Sequence, residues 1–170
     1  MEENNDVALN QYLTFTLAQE QYAVSVSKVM EVLEYTNITK VPRTLDFMRG
    51  VINVRGSVIP VIDLRLKFDM DEAERTIDTS IIVMNVNVGN ESVTIGTLAD
   101  SVQEVISLDP SNIEPAPQIG TKINTRFISG IGKQNDRFII ILDIDAVFSD
   151  QEIAAVTGEQ TLAAAKATDA

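Results

Sequence analysis

The 170-residue sequence contains no histidine and no cysteine. The chain therefore lacks the imidazole that most often serves as a general base, and it has no thiol to act as a nucleophile. The same two absences exclude the common zinc sites and all disulfide chemistry. We therefore expect a protein that is not an enzyme and that needs no cofactor or metal.

Long apolar runs and a basic N-terminus are also absent. No run approaches the roughly 20 apolar residues that a membrane-spanning helix needs. The first ten residues, MEENNDVALN, are acidic and polar, unlike a secretory signal peptide. These features predict a cytoplasmic protein without direct membrane insertion. The net charge of −12 repels phosphate backbones, so nucleic acid is not expected as a partner.

Two segments resemble ligand-binding loops only in part. Gly130–Lys133 has the glycines of a phosphate-binding loop, but the spacing fails and Gln134 replaces the required serine or threonine. Asp69–Asp71 begins like a calcium-binding loop, but the sixth position is Glu74 where a glycine is needed for the sharp turn. No small-molecule substrate is predicted from either segment.

Positive charge is concentrated in one window. Six of the thirteen basic residues lie between positions 40 and 67, together with only two acidic residues, so that window is +4 and the remainder is −16. One interpretation is an ordinary solvated basic face. The other is a docking surface for acidic partners, with a sign opposite to the rest of the molecule.

Short segments rich in β-branched residues dominate the chain. Apolar residues alternate with threonine in QYLTFTL, which has the period of a half-buried strand. Similar segments separated by polar residues or glycine predict strands at 22–26, 30–35, 50–54, 57–64, 80–88, 92–98, 102–108, 130–131 and 137–144. This density of short strands predicts an all-β fold made of small barrels or a sandwich.

An internal repeat divides the chain. Gly50 and Asp63 recur as Gly130 and Asp143, and VMEVLEYTNITKVP recurs as VQEVISLDPSNIEPAP. The repeat predicts a flexible N-terminus at 1–9, a first lobe at 10–68, a linker at 69–78, a second lobe at 79–148, and a short helix with a frayed tail at 149–170. Whether the first strand pairs within its own lobe or crosses to the other remains open at this point.

The repeated aspartates, Asp63 and Asp143, have two interpretations. A two-lobed enzyme could share such a carboxylate pair. Alternatively, each aspartate could end a strand by accepting backbone hydrogen bonds. Large apolar residues, Leu64 and Ile144, follow them where aspartic proteases have a Thr/Ser-Gly turn, so we favour the structural interpretation.

The ordered motifs of both repeats resemble the CheW family of chemotaxis coupling proteins over residues 10–157. The first repeat contributes Val29-x-Glu31-Val32, Ile38-x-x-Val41-Pro42 and Gly50-Val51-x-Asn53-x-Arg55-Gly56-x-x-Ile59-Pro60-Val61-Ile62-Asp63-Leu64-Arg65. The second contributes Val102-x-Glu104-Val105, Ile113-x-Pro115-Ala116-Pro117 and Phe127-Ile128-x-Gly130-Ile131-Gly132.

The resemblance implies two side-by-side, five-stranded SH3-like β-barrels with no catalytic activity. Members of the family link the cytoplasmic tips of chemoreceptors (methyl-accepting chemotaxis proteins) to the regulatory domain of the histidine kinase CheA. The implied location is the cytoplasm, with recruitment to membrane-associated receptor arrays. The alternative is a generic two-barrel interaction scaffold with other signalling partners, because fold alone does not determine function.

The resemblance also implies which residues bind. The expected receptor-binding residues are Val29, Glu31, Gly50, Arg55, Val102 and Val105, and the expected kinase-binding residues are Val51, Asn53, Ser57 and Ile59. We further expect Glu31 and Arg55 to pair, which would orient the arginine for docking. The alternatives are that this pair is an ordinary solvated strand residue and turn residue, and that the apolar members of both sets belong to the core.

Overall fold

The computed structural model describes residues 10–41, 45–71, 73–88, 90–115, 125–149 and 151–152. These contain two four-residue helices, α1 (Leu64–Lys67) and α2 (Ile144–Val147). The strands are β1 (Gln11–Leu17), β2 (Glu20–Ser25), β3 (Val29–Glu34), β4 (Met48–Val54), β5 (Ser57–Asp63), β6 (Ser80–Val88), β7 (Glu91–Ala99), β8 (Ser101–Ser107), β9 (Ile113–Glu114), β10 (Ile128–Gln134) and β11 (Arg137–Leu142). Within these ranges, every helix is too short to cross a membrane.

The strands form two sheets, which confirms the predicted all-β class. The five-stranded sheet has the order β3-β6-β7-β5-β4, and the six-stranded sheet has the order β8-β1-β2-β11-β10-β9. We call these the first and second barrels, and both correspond to the predicted SH3-like architecture. In each, two antiparallel hairpins meet through one parallel strand pair, β5 with β7 and β11 with β2. The sixth strand, β9, contributes only two residues.

The barrels divide the chain differently from the predicted lobes at 10–68 and 79–148. The β1–β2 hairpin belongs to the second barrel, where Gln11 pairs with Ser107 and Tyr22 with Ile140. The β6–β7 hairpin, which follows the predicted linker at 69–78, completes the first barrel. The first strand therefore crosses to the other half. The chain passes between barrels at the short 3-10 helix 26–28 and again at Asp100.

Strands that correspond in the sequence repeat occupy corresponding positions in the two barrels. Strands β3, β4 and β5 of the first barrel correspond to β8, β10 and β11 of the second, and each barrel is completed by one hairpin from elsewhere in the chain. The connection after β3 reaches β4 through an isolated bridge between Thr39 and Val51. In the second barrel β9 pairs with β10 at the corresponding place. Both barrels are therefore built on one plan.

The repeated aspartates lie at equivalent strand-to-helix junctions. The backbone N–H of Asp63 donates to the Phe47 carbonyl at 2.7 Å, and that of Asp143 donates to the Phe127 carbonyl at 2.8 Å. The Asp63 side chain also accepts a hydrogen bond from the Arg65 N–H at 2.9 Å, as an N-cap. These positions agree with the structural interpretation. The strands predicted to run through residues 64 and 144 end earlier, because helices α1 and α2 begin there.

Three clusters of buried apolar residues hold the molecule together. One lies within the first barrel around Val61, and one lies within the second barrel around Ile139. The largest combines residues of both barrels, including Phe15 of β1 and Met84 of β6. Burial of each large apolar side chain stabilises the fold by about 1.5–3 kcal/mol, so the contact between the barrels is part of the core.

Candidate functional site

The predicted pair of Glu31 and Arg55 is present at one end of the first barrel. Arg55 and Gly56 both have positive φ, at 50° and 88°, and form the two-residue turn between β4 and β5. The Asn53 side chain stabilises this turn by accepting the Gly56 N–H at 2.8 Å. The turn leaves the Arg55 side chain 73% exposed, while that of Glu31 is 22% exposed.

Both guanidinium nitrogens of Arg55 take part in the contact. Nη1 donates to Glu31 Oε1 at 3.2 Å, and Nη2 donates to Oε2. Hydrogen bonding and charge attraction from Glu31 raise the pKa of Arg55 above its ordinary value. Because β3 and β4 lie at opposite ends of the sheet order, this bidentate pair also links the two sheet edges. It presents a fixed cation on a hairpin turn.

Strand β3 presents apolar side chains beside Glu31. Val29 is half-buried and packs against the cluster shared by the barrels. The exposed apolar residues of this strand are Met30 and Val32, neither of which was predicted to bind a partner. The alternation was detected in the sequence, but a burial direction could not be assigned to an edge strand with apolar residues on both faces.

Gly50, the repeat equivalent of Gly130, allows another backbone segment to approach closely. Its φ is +145°, and a Cβ there would overlap the Thr39 carbonyl oxygen and lie 2.8 Å from Ile38 Cγ2. The close approach permits two hydrogen bonds, Thr39 N–H to Val51 O at 2.9 Å and Val51 N–H to Thr39 O at 2.8 Å. Gly50 is itself buried, so its connection to receptor binding would be indirect.

On strand β8 the two predicted valines have different environments. Val102 packs against the cluster between the barrels, whereas Val105 is exposed. Val105 occupies the position in β8 that Val32 occupies in β3. The two equivalent strands therefore each present an exposed valine, and both strands are at the end of their sheet order.

The predicted kinase-binding residues surround the same β4–β5 turn. Asn53 and Ser57 are exposed, but Ile59 is only 6% exposed and belongs to the core of the first barrel. Val51 is half-buried against the cluster between the barrels. The exposed apolar residue is Val58, at 62%. Its repeat equivalent, Phe138, is also exposed, so each barrel presents a large apolar side chain beside the equivalent turn.

Most charges of the basic window are paired inside the molecule. Besides Arg55, three window residues contact carboxylates: Arg49 with Asp63 at 3.9 Å, Arg65 with Asp100 at 2.8 Å and Lys67 with Glu152 at 2.7 Å. The hydrogen bond to Asp100 raises the pKa of Arg65 despite its partial burial. These four side chains are therefore not a free cationic face, which weakens the interpretation of the window as a docking surface for acidic partners. Arg43 lies outside the described residues.

Among the described residues, no group of acidic side chains is arranged to hold a metal ion. The surface of the described residues offers an arginine–glutamate pair, exposed apolar residues on two equivalent edge strands, and the exposed Val58 beside the β4–β5 turn. The fold and this surface are those of a small all-β protein with two barrels, in which the end strands expose apolar side chains that a partner could cover.

This chain belongs to the CheW-like domain family, whose model matches residues 11–152. It is 35% identical to the chemotaxis protein CheW of Klebsiella aerogenes over 146 residues, covering 86% of each chain. It is 33% identical to the chemotaxis protein CheW of Helicobacter pylori, covering 86% of this chain and 85% of that protein. The crystal structure of the scaffolding protein TtCheW from Thermoanaerobacter tengcongensis superimposes with a TM-score of 0.74 at 36% identity, covering 84% of this chain and 90% of that one.

Proposed function

We propose that this protein is a non-enzymatic adaptor in chemotaxis, coupling the cytoplasmic tips of chemoreceptors to the histidine kinase CheA. The observation that carries the proposal is the family match over residues 11–152, which spans both barrels. The names of the relatives, chemotaxis proteins and a scaffolding protein, support it. In this role the protein works in the cytoplasm and is recruited to receptor arrays at the membrane.

For the receptor we propose the end of the first barrel and the neighbouring strand edges. Arg55, held by Glu31, supplies an oriented cation. Val32 and Val105 supply apolar contacts for a helix that presents an apolar stripe. In this proposal Val29 and Val102 act indirectly, because their side chains pack against the cluster between the barrels, and Gly50 acts indirectly because it is buried.

For the kinase we propose the β4–β5 turn of the first barrel. Asn53 and Ser57 supply polar groups, and Val58 supplies the apolar contact. Val51 packs against the cluster between the barrels and Ile59 belongs to the core of the first barrel, so both support this surface without being exposed in it. Docking of one barrel on a homologous barrel needs an apolar centre with a polar rim, which this turn offers.

Reconstitution with a chemoreceptor signalling fragment and CheA tests the proposal. We expect a ternary complex and increased kinase activity, and the absence of both would overturn the coupling function. Arg55→Ala should weaken receptor binding, with Asn135→Ala at the equivalent turn of the second barrel as the matched control. Val58→Glu should weaken kinase binding and leave receptor binding intact. Unchanged receptor affinity of the Arg55→Ala protein would refute the receptor site.

A further inference from the structure

The contact between the barrels is close to two-fold symmetric at its aromatic centre. Helices α1 and α2 are repeat equivalents, and both are followed by phenylalanine, Phe68 and Phe148. Phe47 and Phe127 are likewise equivalent. Phe47 contacts Phe148 with ring centroids 5.9 Å apart, and Phe127 contacts Phe68 at 6.0 Å. Each pair joins one repeat to the other, so the two contacts mirror each other.

Lys67 breaks this symmetry. Its repeat equivalent in α2, Val147, is fully buried. The Lys67 ammonium lies 5.1 Å from the centre of the Phe47 ring and 5.3 Å from the centre of the Phe127 ring, so it contacts equivalent rings of both barrels. Only 13% of the side chain is exposed. A charge in this position requires a partner, because burial of an unpaired ammonium is strongly unfavourable.

Glu152 provides that partner. Its Oε2 accepts a hydrogen bond from Lys67 Nζ at 2.7 Å, and its Oε1 accepts the Ser149 N–H at 2.9 Å. Ser149 Oγ in turn accepts the Glu152 N–H at 3.0 Å, which completes a capping box. The capping box fixes the carboxylate, and the carboxylate fixes the ammonium. The segment after the second barrel is thereby connected to the first.

Apolar burial and ion pairing constrain the barrels in different ways. Burial of apolar surface is non-directional, so by itself it specifies the relative placement of the barrels less sharply than a directional contact does. An ion pair with cation–π contacts on both sides has one favourable geometry. Buried ion pairs often add little stability compared with apolar residues, and their best-established contribution is to specify register.

We propose that Lys67, held by Glu152, is a positioning residue that fixes the placement of one barrel relative to the other. It thereby sets the separation of the exposed valines on β3 and β8. The effect on barrel placement is independent of the proposed function, whereas the consequence for receptor binding rests on it.

Other polar contacts keep the barrels associated when Lys67 is replaced. Asp145 of α2 accepts Lys28 Nζ at 2.6 Å and the Asn87 N–H at 2.9 Å. Asp100, at the crossover, accepts hydrogen bonds from Arg65 and from the Ala18 N–H. Replacement of Lys67 should therefore broaden the distribution of barrel placements without separating the barrels.

Distance measurement between spin labels tests this directly. The chain has no native cysteine, so Ser92→Cys in β7 and Ser129→Cys in β10 place one label on an exposed position of each barrel. We expect Lys67→Met to broaden the distance distribution. Its melting temperature should fall only modestly, because the new apolar side chain fits as the buried Val147 does at the equivalent position, while Glu152 loses its ammonium partner but keeps its capping hydrogen bonds with Ser149. Lys133→Met is the matched control, because its 2.7 Å pair with Glu114 lies within the second barrel. An unchanged distribution in Lys67→Met would overturn the proposal.

A second variant separates the ion pair from the cation. Glu152→Gln leaves the Lys67 ammonium without its carboxylate, so we expect a lower melting temperature than for Lys67→Met, and recovery in the Lys67→Met/Glu152→Gln double variant. A Glu152→Gln protein as stable as the parent would contradict the pairing role. Receptor affinity of Lys67→Met should fall relative to Lys133→Met. If the parent binds no receptor, the proposed function fails while the distance measurement still decides barrel placement.

Discussion

Replacement of Gly50 by alanine should destabilise the protein through a backbone collision. Gly50 has φ +145°, and a residue other than glycine is strained by about 1–3 kcal/mol in this region. The new methyl group would overlap the Thr39 carbonyl oxygen and displace the two backbone hydrogen bonds between Thr39 and Val51. Those bonds contribute about 0.5–1.5 kcal/mol each. The expected loss in the free energy of unfolding is therefore about 2–6 kcal/mol.

Thermal and urea unfolding provide the assay. For a protein of this size, that loss corresponds to a decrease in melting temperature of roughly 4–24 °C. Gly56→Ala is the matched control, because Gly56 also has positive φ, at 88°, but a Cβ there meets nothing within 4 Å. Its expected cost is only about 1–2 kcal/mol, from the backbone conformation alone. Equal melting temperatures for the two variants would refute the collision argument.

Three further predictions concern titration and packing. Burial raises the pKa of Tyr22 from 10.0 to about 12. The stabilising contribution of its neutral phenol should therefore be complete below pH 10 and be lost as the pH rises toward 12. Ultraviolet titration of the tyrosines, together with unfolding at each pH, measures this. Burial opposes ionisation of Glu152, but hydrogen bonds from Lys67 and Ser149 hold its pKa below the ordinary 4.5. Its contribution should therefore be present above pH 4.5 and be lost at lower pH, an effect that Glu152→Gln should abolish. Ile59→Ala should cost about 2–5 kcal/mol in urea unfolding. Val58→Ala should change stability by less than about 0.5 kcal/mol, and similar losses for both would refute their assignment to core and surface.

The sequence predicted the strands well and the pairing of hairpins poorly, for a physical reason. Alternating apolar residues record local burial, and the repeat aligned β3 with β8 and the β4–β5 hairpin with β10–β11. Neither observation says which barrel receives the β1–β2 hairpin. That choice depends on contacts such as Tyr22 with Ile140, which are distant in the chain. The question therefore stayed open until these distant contacts were known.

The candidate site was predictable where a side chain's role follows from its local setting. Glu31 and Arg55 could be paired in advance because the family resemblance places both at one edge of the first barrel, and the ion pair confirms the pairing. Val58 could not be separated from Ile59, because the run VIPVID is apolar on both faces. Likewise, the basic window looked free because the carboxylate partner of Lys67 lies 85 residues along the chain.

Strand exchange between the halves has a consequence for synthesis on the ribosome. The first barrel consists of residues 29–99 and can close as soon as they have emerged. The N-terminal hairpin, in contrast, must wait for β8 to pair with β1, and then for β11, which ends at Leu142, to pair with β2. The interval between synthesis of the N-terminal hairpin and completion of β11 lasts roughly 6–25 seconds at about 5–20 residues per second. Until then the second barrel that buries Phe15, Leu17 and Val24 is incomplete, so the N-terminal hairpin is among the last parts of the fold to be fully buried and depends most on protection from aggregation.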